Sequence, residues 1–441
     1  MMVKTDKQVN YLAPFITLVI LFFFVGFLTT ANGQFQGPLK SVFLSEAGDL
    51  KNTFATLISF VWFLAYPLTG GIGASWVTKY GYKRTLLQAL AVLMAGLLIF
   101  WLSAVFTTAF PDARFAVASA KVPWGFVIFL IGSYVVGAAA TILQVVINPY
   151  LTACDVKNTQ PVQRLNIGGS ANSFGTTLAP FFVTGIVFGG LSVEDLEIGQ
   201  IQTSFLVLTL VFLVVTLILS KMRLPDIAGT KAEAGEKLEK SVWSFSHLTL
   251  GIVAIFFYVG VEVCVGQNIN LYAMELEKAG RTFSFFGLTS LTIFGINFAI
   301  PALMATLYWG GMLVGRLISS SMSNVSPRVQ LGIAAVFAAL STVLAIIFDN
   351  PWFLVIVGFF HSVMWGSIFT LSVNKLGKYT SVASGVFMIG VIGGSLLPLL
   401  QGVLADAMDG VWRMTWTIVI AGELYILYYA LSGSKVRQSA E

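Results

Sequence analysis

The sequence predicts an all-α membrane protein with twelve transmembrane helices, arranged as two pseudo-symmetric six-helix bundles. Three observations carry this reading. Of 441 residues, 57% are hydrophobic and only 10% charged. Soluble chains carry roughly 25% charged residues, so this one cannot cover an ordinary water-facing surface. Apolar runs recur from end to end, each close to the roughly 20 residues that a helix needs to cross a ~30 Å hydrocarbon layer. Finally, the longest strongly charged stretch, 221–246 (KMRLPDIAGTKAEAGEKLEKSVWSFS), falls centrally, with six apolar runs on either side of it.

The runs are 12–30, 54–77, 85–107, 125–151, 166–190, 202–220, 248–273, 301–320, 329–348, 352–373, 382–405 and 414–432. They are continuous rather than alternating, which favours helices over barrel strands, and a helix pairs its own backbone groups internally. The first run follows Lys4 and Lys7 but is long and lacks a small-residue cleavage site, so it reads as a retained span. A further apolar stretch, 282–300 (TFSFFGLTSLTIFGINFAI), reads as an interfacial or loop-covering segment, because a thirteenth span would invert everything after it. Placing the N-terminus inside puts 18 of the 25 Lys and Arg, Arg316 among them, in cytoplasmic segments, and 7, Lys40 among them, in outer ones. That bias obeys the positive-inside rule. Both termini are therefore expected in the cytoplasm. The expected domains are 1–222 (first bundle), 223–246 (cytoplasmic linker) and 247–441 (second bundle). A weak internal repeat supports duplication: GGIGASWVTKYGYKR follows the second run and GGMLVGRLISSSMSNVSPR ends the eighth.

The inventory excludes other classes. The net charge of +5 is spread over short connections, without the dense basic block that nucleic acid requires. Cys154 and Cys264, with His247 and His361, are too few and too scattered for a disulfide framework, a metal cluster or a membrane-embedded redox enzyme. No cofactor, no enzymatic activity and a monomeric state are expected, and a sensor is not expected, because the longest loop is too short for a soluble signalling domain.

What remains is the polar content of the spans. Glu262 and Glu423 are the clear mid-span carboxyls, and a charge at the bilayer centre costs about 2.5–3.5 kcal/mol even on mild scales. Glu262 lies in FYVGVEVCVGQNIN with Gly266 and Asn270 on the same stripe, so one face of the seventh span is polar or small. Glu423, in TIVIAGELYILYY, has fewer polar companions and suits packing or a cytoplasmic-side gate. Gln144 and Asn148 share a face of the fourth span; Asn166 and Asn172 flank Gly168, Gly169 and Ser170 in the fifth. Asn32, Gln34 and Gln36 form a patch in the first, and Gln267, Asn268, Asn270 and His361 come from the second half. Amides and an imidazole offer donors and acceptors without demanding a counter-ion. Any one alone is ordinary helix–helix glue; convergence from both halves favours a binding site. Trp309, beside Tyr308 in YWGG, and Trp365, one turn after His361, would supply rings for the apolar face of a sugar.

The layout resembles the major facilitator superfamily, and three stretches are similar to its fucose:proton symporter family, whose members carry fucose, glucose, galactose or N-acetylglucosamine. They are NPYLTACDVKNTQPVQRLNIGGSANSFG, YWGGMLVGR and SIFTLSVNKLGKYTSVASGVFMIGVIGGSLLPLLQGVLADAMDG. The resemblance covers nearly the whole chain, although Thr78 stands where the superfamily loop usually has Asp. It implies a hexose importer working by alternating access in the inner membrane of a Gram-negative bacterium, with a monosaccharide as substrate and the two bundles rocking about a central site. Asn172, within NSFG, matches a family position at the sugar site, and His361 stands where relatives often have Asn. The family's coupling acids in the first and fourth spans correspond here to Gln34 and Gln144, and an amide does not take up and release a proton. Coupling therefore falls to Glu262, with H+ or Na+ as the ion. A sugar uniporter, or an exporter of amphipathic small molecules on the same fold, is the alternative.

Overall fold

The computed structural model describes residues 11–118, 120–154, 156–157, 159, 161–189, 197–222, 224, 240–293, 296–321, 325–376 and 379–437. Most of the expected linker, and the side chain of Asn166, lie outside the described residues. Among the described residues, eleven helices are long and apolar enough to cross a membrane. In chain order the first to fourth spans are Leu12–Val42, Gly48–Val77, Lys79–Ala109 and Trp124–Leu151. The sixth to ninth are Gln202–Lys221, Ser246–Lys278, Ile300–Ser319 and Pro327–Phe348, and the tenth to twelfth are Trp352–Ser372, Gly385–Ala407 and Arg413–Gly433. The remaining, fifth span is the helix Pro161–Phe181, continued by a π-helical turn Phe182–Val187. Its amides, serines and glycines depress its hydropathy, and it packs along the first and eighth spans. Small residues make that packing possible. A side chain at Gly26 would stand 2.3 Å from the main-chain oxygen of Asn172, and one at Gly175 2.2 Å from that of Phe23.

Two strand pairs depart from the all-helical expectation. Strands β1 (Arg114–Val117) and β2 (Ala120–Pro123) form an antiparallel hairpin between the third and fourth spans. Strands β3 (Ser290–Ile293) and β4 (Ile296–Ala299) form another between the seventh and eighth. The stretch 282–300 thus makes no further span. Its β-branched and aromatic residues are strand formers, and strands of four residues are far too short to cross. Near the start of the third span the helical path breaks at Gly81, whose φ of 77° is a conformation that glycine adopts without strain.

Both hairpins lie on one face of the molecule, here the hairpin face; residues 11, 222 and 437 lie on the other, the terminal face. The bundles meet where the second span packs on the eleventh, the fifth on the eighth and the first on the seventh. Polar contacts between them gather towards the hairpin face. Lys40 Nζ lies 2.5 Å from Glu275 Oε1 and 2.5 Å from Asn52 Oδ1. The Asp406 carboxylate accepts the backbone N–H groups of Asn52 (3.0 Å) and Thr53 (2.6 Å), closing the N-terminus of the second span from the opposite bundle. Ser395 donates to the Phe60 carbonyl at 2.7 Å. Towards the terminal face, Gly71, Gly169 and Gly385 have nothing within 4 Å of where a side chain would stand. The contacts of Lys40, Asp406 and Ser395 hold the two bundles together on the hairpin face.

Candidate functional site

At mid-depth between the bundles lies a small cavity lined from both of them. The first bundle lines it with Thr29, Thr30, Tyr66, Gln144, Asn172 and Ser173; the second with Glu262, Gln267, Trp309, Arg316 and Trp365, among others. Several of these polar groups are held by their own helix or a neighbour. Gln144 donates through Nε2 to the Tyr66 hydroxyl at 2.7 Å, and Asn172 through Nδ2 to the Phe22 carbonyl at 3.0 Å. Tyr258 donates its hydroxyl to Glu262 Oε1 at 2.9 Å. Arg316 donates to the Ser173 hydroxyl across the bundle interface. Ser59 donates to Gln267 Oε1, tying the cavity to the hairpin-face seam. Trp309 Nε1 and Thr30 Oγ1 are buried without a hydrogen-bond partner among the described residues, and buried polar groups ordinarily have one. A hydroxylated ligand would complete both.

One carboxylate and one guanidinium share this cavity, but among the described residues the ion pairs lie elsewhere: Lys40–Glu275, Glu46–Arg114, Arg281–Asp349 and His361–Glu423. The two opposite charges offset one another across the cavity instead of saturating each other. Both remain available, the carboxylate to accept hydroxyls and the guanidinium to donate.

The structure brings together six of the expected site residues, Glu262, Gln144, Asn172, Gln267, Trp309 and Trp365. Five others stand apart from the cavity. Asn32 donates to the Ile58 carbonyl (3.2 Å) and accepts from Ser133 (2.9 Å), joining helices inside the first bundle. Gln34 donates to the Gly266 carbonyl at 3.2 Å, in the seam between the bundles. Asn148 is half-buried one turn beyond Gln144 and is not part of the lining. Asn270 packs against Gly37 where the first and seventh spans cross. His361 is fully buried behind the cavity with Glu423, which thus serves no gate at the terminal face. In Asn32, Gln34, Asn270 and His361 the amide or imidazole faces a neighbouring helix instead of the hollow.

Sequence reasoning missed Arg316, counted there as a cation of a cytoplasmic connection. It lies inside the eighth span, on the same face as Trp309 and Met312 at positions i, i+3 and i+7. That spacing, applied to YWGGMLVGR, would have found it. Lys40, read as an outer-loop cation, is buried at the end of the first span. Tyr66 carried no signal of its own; only its position beside Gln144 marks it.

A dozen helices in two bundles, closed over a polar cavity at mid-depth, define a membrane transporter. A family model for the Major Facilitator Superfamily matches residues 22–398, and the chain belongs to that superfamily. It is 31% identical over 438 residues to a glucose/galactose transporter of Brucella abortus, covering 98% of this chain and 97% of that one. It is 23% identical to the L-fucose-proton symporter of Escherichia coli, covering 91% of this chain and 89% of that one. The fold matches the crystal structure of the transporter FucP in its outward conformation with a TM-score of 0.66, at 19% identity and covering 97% of this chain and 100% of that one.

Proposed function

We propose that this protein imports a hexose of the glucose/galactose class across the inner membrane of a Gram-negative cell by alternating access, driven by a cation taken up at Glu262. The observation that carries the reading is the cavity itself. Glu262 and Arg316, opposite in charge yet unpaired, converge there with the amides of Gln144, Asn172 and Gln267 and the rings of Trp309 and Trp365. Carboxylate, guanidinium and amides match a polyhydroxylated ring, and the indoles offer faces to its C–H side. The names of the relatives, two kinds of sugar transporter, support the substrate class. In this reading the terminal face is cytoplasmic, as the distribution of Lys and Arg supports, and the sealed hairpin face is outer. Sugar leaves towards the cytoplasm once the cation has left Glu262, and the seam around Lys40 opens for the next cycle.

The test is uptake of several labelled hexoses into proteoliposomes, with the pH and Na+ gradients imposed separately. The gradient that drives uphill accumulation names the ion. Uptake that equilibrates identically under every gradient would make the protein a uniporter, and transport of amphipathic dyes in place of hexoses would make it an exporter.

A further inference from the structure

Behind Glu262, away from the cavity, four helices meet through a chain of buried polar groups that sugar binding does not use. His361 and Glu423 are both 0% exposed. His361 Nε2 lies 2.6 Å from Glu423 Oε1, and His361 Nδ1 lies 2.7 Å from the Tyr308 hydroxyl. That hydroxyl lies 3.2 Å from the main-chain carbonyl of Glu262. The chain joins the twelfth, tenth, eighth and seventh spans in that order.

A count of hydrogens decides what this chain is. Three contacts need three hydrogens, one between each pair of heavy atoms. The Tyr308 hydroxyl brings one and a neutral imidazole brings one. A Glu423 carboxylate brings none. All three contacts therefore stand together only when the chain holds one additional proton, on the carboxyl or on the imidazole; across so short a contact it belongs to the pair. When that proton leaves, His361 keeps a single N–H, on Nε2, which donates to the Glu423 carboxylate. Tyr308 then turns its hydrogen to Nδ1 and releases the Glu262 carbonyl. Protonation at the twelfth span is thus read at the backbone of the residue that lines the cavity.

We propose that the His361–Glu423 pair is a proton site of this transporter distinct from the cation site at Glu262, loaded and emptied during the cycle, with Tyr308 relaying its state to the seventh span. Loading adds one proton from water to the pair and unloading returns it, with no other bond made or broken. The seventh span turns Tyr258, Glu262 and Cys264 towards this group, with the Tyr258 ring centroid 6.0 Å from that of His361. The eighth contributes Tyr308, and Arg316 acts on Glu262 and Tyr258. The sole ionisable residue of the ninth span, Arg328, is held by Ser434 at 3.1 Å, and that of the eleventh, Asp406, caps the second span. Tyr425, Tyr428 and Tyr429 follow on Glu423's own helix. No other carboxylate of the described chain reaches the pair. The site's use in transport rests on the cation-coupled reading above; its existence does not.

The chain has only two histidines, so ¹⁵N-histidine-labelled protein in lipid yields two imidazoles, and the variant His247→Gln assigns them. The expected result, across the pH range over which the protein stays folded, is a change of protonation pattern at His361 in which Nδ1 loses its hydrogen and Nε2 keeps one. In Glu423→Gln the amide N–H donates to Nε2, so Nδ1–H should persist at every pH, and one proton fewer should move per sugar. A His361 that keeps a single protonation pattern across the range overturns the proposal; the unaltered protein decides this even if the variant does not fold. Glu423→Gln titrating like the unaltered protein overturns it too. A titrating His361 in a protein that moves no hexose leaves this site standing and removes the transport reading. Cation-driven hexose uptake with a silent His361 does the reverse.

Discussion

The seam on the hairpin face and the cavity beneath it use the same kinds of residue to opposite ends. In the seam every charge is engaged: Lys40 meets Glu275 and Asn52, and Asp406 takes two backbone N–H groups. In the cavity Glu262 has a tyrosine hydroxyl and Arg316 a serine hydroxyl, and neither charge has the other. A buried pair holds surfaces together, and removing one partner strands the other. A charge left without its counterpart in an apolar span is retained for a ligand or an ion. The contrast separates what closes this protein from what it binds.

If that division is right, Glu262→Gln strikes the coupling and leaves the seam alone. Accumulation of hexose against its gradient should disappear, so that inside and outside concentrations merely equalise, while exchange of labelled for unlabelled sugar continues. Unaltered uphill uptake would reject the role. Arg316→Ala should weaken sugar binding by about 10- to 100-fold, the loss of one charge-assisted hydrogen bond of about 1.5–3 kcal/mol. Quenching of Trp309 and Trp365 fluorescence on titration with sugar measures it. Arg316→Lys should rescue only part, because a single ammonium does not reproduce the planar fork. Full affinity in either variant would remove Arg316 from the site.

Much of the fold was legible because hydrophobic length and charge bias are one-dimensional properties. The spans and the exclusion of a thirteenth follow from run length and polarity. The β3–β4 hairpin was not legible in detail, since a short apolar, β-branched run does not distinguish a strand from an interfacial segment. The candidate site was legible only in its inventory. Asn32 and Gln144 are both amides inside spans, and nothing local says that one bonds a neighbouring helix and the other faces the hollow; that depends on helix rotation, which the partner helices set. Arg316 was lost for a different reason. A count of cations by connection assigns each to the nearest loop, whereas helical spacing from Trp309 places this one on the face that lines the cavity.

The seam itself is tested by Lys40→Met, which leaves Glu275 without its cation. Glu275 is 28% exposed, so solvent screens much of the loss, and about 1–2 kcal/mol is expected. That shifts the balance towards an open hairpin face by about 5- to 30-fold. Spin labels placed either side of the seam should report a longer distance in a larger fraction of molecules. The double variant Lys40→Met, Glu275→Leu should recover part of the closure, since neither charge is then stranded. A distance distribution indistinguishable from that of the unaltered protein would show that the Lys40 pair is incidental to closure.

Asn32→Leu probes the comparison where it is least obvious, because Asn32 is an intramembrane amide belonging to neither seam nor cavity. It joins the first span to the second and fourth through the Ile58 carbonyl and Ser133. Interhelical bonds of this sort are worth about 0.6 kcal/mol on average and at most about 1.7 kcal/mol. Ser133 keeps its own bond to the Ile58 carbonyl at 3.0 Å, so the substitution strands little. The expected outcome is a small drop in thermal midpoint in detergent, with sugar affinity and accumulation unchanged. A loss of affinity comparable to that of Arg316→Ala would instead place Asn32 at the ligand in another stage of the cycle, and the line drawn here between glue and site would have to move.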